Sequence, residues 1–137
     1  YSVLLGLSVH AIFDGVAIAS GFVVSTWLGW LIFIAIFLHK IPVGFTVASV
    51  TLASGRSRTA AVLSASVLGI STLAGVLAIS LIPSWVRVGL PISAGVTMYV
   101  AATDLLPEVN REPGIRMALV FLLGVGIFLL IRLLAPL

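Results

Sequence analysis

The chain has 137 residues, 61% of them hydrophobic and 8% charged, with a mean hydropathy of +1.34. A soluble domain carries about 25% charged residues, so seven basic and four acidic side chains cannot keep a chain of this size wet, and a soluble globule is excluded. The net charge of +3 has the sign of a nucleic-acid binder, but the bases are scattered and form no patch, so no nucleic acid is expected as a partner. Zero cysteines remove disulfides, thiolate metal sites and thiol catalysis together.

The lipid bilayer is the natural solvent for such a chain. About 20 apolar residues are needed per crossing, and the sequence predicts five spans, roughly 2–23, 27–54, 60–83, 89–107 and 115–135. The fold class is therefore all-α, a polytopic transmembrane helix bundle forming a single membrane domain over 1–137. Breaks fall at Ser25-Thr26, at Ser54 through Thr59, at Pro83-Ser84-Trp85, and from Pro107-Glu108 to Pro113-Gly114, all rich in turn residues. Tyr1 opens an apolar stretch without a basic start, so no cleaved leader is expected.

Loops two and four carry Arg56, Arg58, Arg111 and Arg116, against Arg87 alone in loop three. The positive-inside rule places loops two and four in the cytoplasm. Trp27, Trp30 and Trp85 then lie near the outer ends, where amphipathic rings favour the interface, and Arg132 snorkels from the last span. Small residues at Gly15, Ala19, Gly21, Ser64, Ala65, Gly69, Gly124 and Gly126 fit ordinary helix packing in membranes.

Five ionisable residues fall inside the spans: His10, Asp14, His39, Lys40 and, less deeply, Asp104. A charge at mid-bilayer costs about 3 kcal/mol on insertion scales, so each needs a partner or a task. His10 and Asp14 are four apart and share one helix face. The turn after the first span centres near residue 24 or 25, so His10 and His39 are equally far from it, about 20 Å of helix rise below. Two imidazoles and a carboxylate thus converge at mid-membrane as a metal-ligand set. Pro42 cannot donate to the Leu38 carbonyl and predicts a kink at the same level, with Gly15 and Gly44 easing backbone approach.

Two neutral imidazoles with one carboxylate and no thiolate suit Zn²⁺, Fe²⁺, Mn²⁺ or Co²⁺ better than Cu⁺. The residues between His10 and Asp14 are Ala11, Ile12 and Phe13, which leaves no glutamate base, so an intramembrane zinc protease is disfavoured. Neither enzymatic activity nor a bound cofactor is expected. Lys40 stays open among a fixed cation beside Asp14 or in a second ion's place, a Schiff-base lysine, and a side chain that snorkels away. Asp104 and Glu108, four apart near the cytoplasmic end, are a candidate exit site, against the commoner solvated interface pair. Hydroxyls such as Ser8, Ser20, Thr46 and Thr72 either line a path or bond back to their own helices.

The segments His10-Ala11-Ile12-Phe13-Asp14-Gly15 and His39-Lys40-Ile41-Pro42-Val43-Gly44 resemble the paired signatures of the ZIP (Zrt/Irt-like) divalent-metal transporters. Those read roughly H-N-x-x-[DE]-G on the family's fourth helix and H-x-x-P-E-G on its fifth. The stretch from Ser93 to Glu108 is similar to the seventh. The resemblance covers essentially the whole chain as helices four to eight of an eight-helix fold, and implies three helices before them.

It also implies transport of a divalent cation, zinc first and iron or manganese next, toward the cytoplasm. A homodimer in the plasma membrane is implied as well, with an organelle membrane as the alternative. Where family members with two adjacent metals use Asn and Glu, this chain has Ala11 and Val43, and Lys40 stands where many place an acid. One metal position therefore survives as His10, Asp14 and His39, and Lys40 substitutes for the charge of the second. The rival reading is a sensor or structural membrane protein held by a buried Asp14–Lys40 ion pair, through which nothing moves.

Overall fold

The computed structural model describes residues 2–111 and 115–134, without the side chains at 2, 3, 104, 105, 108–110, 132 and 134. Its elements are α1 (Ser2–Val24), α2 (Thr26–Ala53), α3 (Arg58–Leu81), a 3₁₀ turn (Pro83–Trp85), α4 (Val86–Val100), a π-helical turn (Ala101–Leu105), α5 (Leu106–Arg111) and α6 (Ile115–Leu134). No strand occurs among the described residues. The chain forms two compact units, Tyr1–Thr97 and Met98–Leu137.

The breaks come where polar residues satisfy helix ends. Ser25 caps α2 by accepting from the Leu28 N–H at 3.1 Å, and Ser57 caps α3 by accepting from the Ala60 N–H at 3.2 Å. Gly55 turns the chain after α2 with φ +74°, a conformation that a Cβ would strain, and its N–H donates to the Leu52 carbonyl. Helix α2 runs on through Pro42, and the Thr46 hydroxyl donates to the Pro42 carbonyl at 2.9 Å.

Among the described residues, four helices are long and apolar enough to cross a membrane: Leu4–Val24, Thr26–Ala53, Arg58–Leu81 and Pro83–Thr103. The predicted fourth span, 89–107, falls within a longer helical stretch. The chain is already helical at Val86, continues through Pro91, and loosens into the π turn at Ala101 before α5 begins. The apolar part of α6, Ile115–Ile131, is shorter, about 25 Å of rise at 1.5 Å per residue.

In the first unit α1 packs against both α2 and α3, which also touch each other. The α1–α3 crossing depends on two glycines. A Cβ on Gly15 would run into the Thr72 carbonyl, and one on Gly75 into the Ile12 carbonyl. Such close backbone approach is how membrane helices gain dispersion energy where lipid removes the hydrophobic drive. Below the crossing Ala11, Val47 and Leu68 are buried together; above it Val16, Ala19 and Ile79 are. Helix α4 lies against the upper cluster, with Val86 packed on it and Gly89 facing Val16 and Ile79. Large apolar side chains such as Phe37, Ile41, Phe45, Val62 and Ile70 point outward, an inside-out pattern that suits hydrocarbon rather than water.

Candidate metal site

Asp14 sits at the crossing, directly before Gly15, and is 1% exposed. Because α1 is a regular helix there, His10 lies one turn below on the same face, with Nε2 3.6 Å from Asp14 Oδ1. Helix α2 brings His39 and Lys40 to the same level. His39 Nε2 is 3.4 Å from Asp14 Oδ2, and Lys40 Nζ donates to that oxygen at 2.7 Å. The two imidazoles are 6.0 Å apart between centroids and tilted by 30°. The predicted hairpin symmetry about residues 24–25 accounts for their common depth.

One ligand atom from each of His10, Asp14 and His39 lies within 4.8 Å of the other two. A tetrahedral Zn²⁺ with bonds near 2.1 Å has ligand atoms about 3.4 Å apart; each imidazole reaches about that separation from its own carboxylate oxygen, His10 at 3.6 Å from Oδ1 and His39 at 3.4 Å from Oδ2, and the three-atom set as a whole is wider, within 4.8 Å. Asp14 Oδ1 and His39 Nε2 are buried and make no hydrogen bond. Buried polar atoms of this kind ask for a partner, and a cation ligated between them supplies one. Lys40 occupies a single lone-pair position on Oδ2; a carboxylate offers about four, so ammonium and ion can share the group.

The surroundings hold Asp14 on every side. Gly15 and Gly75 bring α3 against its backbone, and α4 contributes Ser93, which is fully buried and donates through Oγ to the Phe13 carbonyl at 2.6 Å. Ser93 and Gly75 received no role from the sequence. Ser93 is 80 residues from Phe13, so no local spacing marks it. The hydroxyls of Ser8 and Thr72 bond back to Leu4 and Leu68, at 2.7 and 3.0 Å. Ser20 does not: its Oγ is buried without a hydrogen bond. Lys40 turns toward Asp14 rather than away to the lipid surface. The exit-site pair Asp104 and Glu108 lies outside the described side chains, although the backbone at Asp104 is in the π turn, a form often found at functional sites.

A family model described as ZIP Zinc transporter matches residues 1–132. The chain is 36% identical over 119 residues to Zinc transporter ZIP9-A of Xenopus laevis, covering 77% of this chain and 39% of that protein. Zinc transporter ZIP9 of Micropogonias undulatus gives 36% over 119 residues, with 77% and 38% covered. Zinc transporter zipt-7.2 of Caenorhabditis elegans is 28% identical over 134 residues, covering 88% of this chain and 28% of its own length. The chain thus spans well under half the length of these relatives. No solved structure matches.

Proposed function

The chain belongs to the ZIP zinc-transporter family, and from that premise we propose that it carries a divalent cation, zinc first, across a membrane through the site formed by His10, Asp14 and His39. The observation that carries this reading is the convergence of three ligand atoms around a buried mid-helix carboxylate with an unused oxygen. The ion is cargo, held by neutral imidazoles and one carboxylate and released when the helices around it move. Iron or manganese fits the same donors. Transport runs toward the cytoplasm, the plasma membrane is the site of action with an organelle membrane as alternative, and the protein works as a homodimer. No bond chemistry is assigned to it.

Purified protein loaded with zinc and analysed by atomic emission is expected to hold one ion per chain, and His10→Ala or Asp14→Ala to hold none. Reconstituted vesicles should take up zinc with the unmodified protein and not with either variant. Full zinc content in His10→Ala would end this reading.

One observation favours a second reading: the 2.7 Å Lys40–Asp14 contact is a formed ion pair. In that reading the pair holds α1 to α2 in a sensor or structural protein, and zinc neither binds nor crosses. The same measurement separates the two.

A further inference from the structure

Between the ligand set and the loop-two end of the bundle lies a layer of packed aliphatic side chains. Val43 and Val47 follow His39 by one and two turns, and Leu7 precedes His10 by one turn. With Ala11 and Leu68 they pack into one cluster, in which Ala11 is 0%, Leu68 3% and Val47 5% exposed. Ala11 and Val43 are the positions where the family resemblance leads one to expect ligands. Here they are hydrocarbon facing hydrocarbon.

Directly beyond that layer a cavity of about 450 Å³ opens among α1, α2 and the start of α3, with Leu7 and Val47 as its ceiling and Arg56 in its wall. Thr46, Thr51 and Ser54 all line it, and each spends its hydroxyl proton on a carbonyl one turn back, at 2.9, 2.8 and 2.8 Å. A hydroxyl whose proton is committed in this way shows only lone pairs outward. These three hydroxyls accept hydrogen bonds from water and can hold a hydrated cation without acting as strong ligands, while Arg56 in the same wall offers donors only.

We propose that Ala11, Val43, Val47 and Leu68 form a hydrophobic gate that keeps the ion site dry toward the loop-two side, and that the cavity beyond it is the aqueous release vestibule. The proposal rests on the transport reading above. A constriction of aliphatic side chains closes a path by dewetting, so an ion with its water cannot pass until α2 moves away from α1 and α3. Val47 is the central residue, since of the three buried members of the cluster, Ala11, Val47 and Leu68, it is the one that also lines the cavity.

The chain has no cysteine, so a single introduced thiol reports alone. Val47→Cys and Thr51→Cys, each in the whole protein in sealed vesicles, are treated from the loop-two side with a charged, membrane-impermeant thiosulfonate. Thr51→Cys is expected to react at least about tenfold faster than Val47→Cys, because a dewetted layer excludes a hydrated reagent. Val47→Ser is then expected to raise zinc flux while leaving the bound zinc per chain unchanged. Equal labelling rates overturn the gate. So does loss of bound zinc in Val47→Ser, which would make the residue part of the site's support instead. An unmodified protein that binds no zinc defeats the transport reading, while the labelling contrast still decides whether the layer is a barrier to water.

Discussion

Asp14 is the residue on which the site turns, because one carboxylate serves two imidazoles and an ammonium. Its burial makes every partner consequential. Removing one member of a buried ion pair leaves an uncompensated charge, at a cost of about 3–5 kcal/mol. Asp14→Ala should therefore lower the midpoint of thermal unfolding in zinc-free detergent, and Asp14→Ala combined with Lys40→Met should recover most of the loss. Additive effects would mean that the 2.7 Å contact contributes little. Lys40 also bears on stoichiometry. Two cations in a poorly screened site repel, so an ammonium on Oδ2 is compatible with one ion ligated beside it and hard to reconcile with two. Lys40→Ala is expected to keep one zinc per chain by metal analysis. Lys40→Glu with Ala11→Asn and Val43→Glu should raise the content toward two. Loss of all zinc in Lys40→Ala would show instead that the lysine holds Asp14 in place.

At the level of elements, the α1–α3 crossing fixes the height of the site. Gly15→Ala and Gly75→Ala each put a methyl group into a backbone carbonyl that has no side-chain freedom to yield. Overpacking of this kind costs about 1–3 kcal/mol, and since the clash with Thr72 is next to Asp14, zinc affinity should fall with stability. Gly69→Ala meets nothing within 4 Å and serves as the control, with stability unchanged or raised by up to about 1 kcal/mol from helix propensity. Unfolding midpoints and zinc titrations on the three variants check this directly. The same elements show what a sequence of this kind discloses. His10, Asp14 and His39 were legible because hydrocarbon makes ionisable residues rare and because helical spacing and a short turn set their depth. The breaks at Ser25-Thr26 and at Ser54 through Thr59 were legible as clusters of turn residues. Gly75 was not, because thirteen glycines in an apolar chain give no contrast among candidates for close approach. Ser93 was not, because its contact depends on α4 folding back over α1. The π turn at Ala101–Leu105, inside the predicted fourth span, was not legible, because the residues look like ordinary α-helix throughout.

For the whole molecule, the unequal distribution of arginine has a consequence for orientation. Helix α3 has 24 residues and rises about 36 Å at 1.5 Å per residue, more than the roughly 30 Å of hydrocarbon. Ser57 and Ser84, which flank it, must then reach opposite faces of the bilayer if α3 crosses. Arg56 and Arg58 stand at the first end, and Trp85, 56% exposed, at the second. Basic residues are retained in the cytoplasm and indole rings settle at the interface, so Ser57 is expected inside and Ser84 outside. In the proposed reading the gate and vestibule share the Ser57 end, since Arg56 lines the cavity, so a cytoplasmic Ser57 would make the vestibule the release side. Single cysteines at the two positions, in a chain that otherwise has none, are expected to label from opposite sides of sealed cells: Ser84→Cys with an impermeant reagent added outside, Ser57→Cys only after permeabilisation. Labelling of both from outside would remove α3 as a crossing helix. The reverse pattern would keep the crossing but turn the vestibule outward, making the cavity beside Arg56 the place where the ion enters.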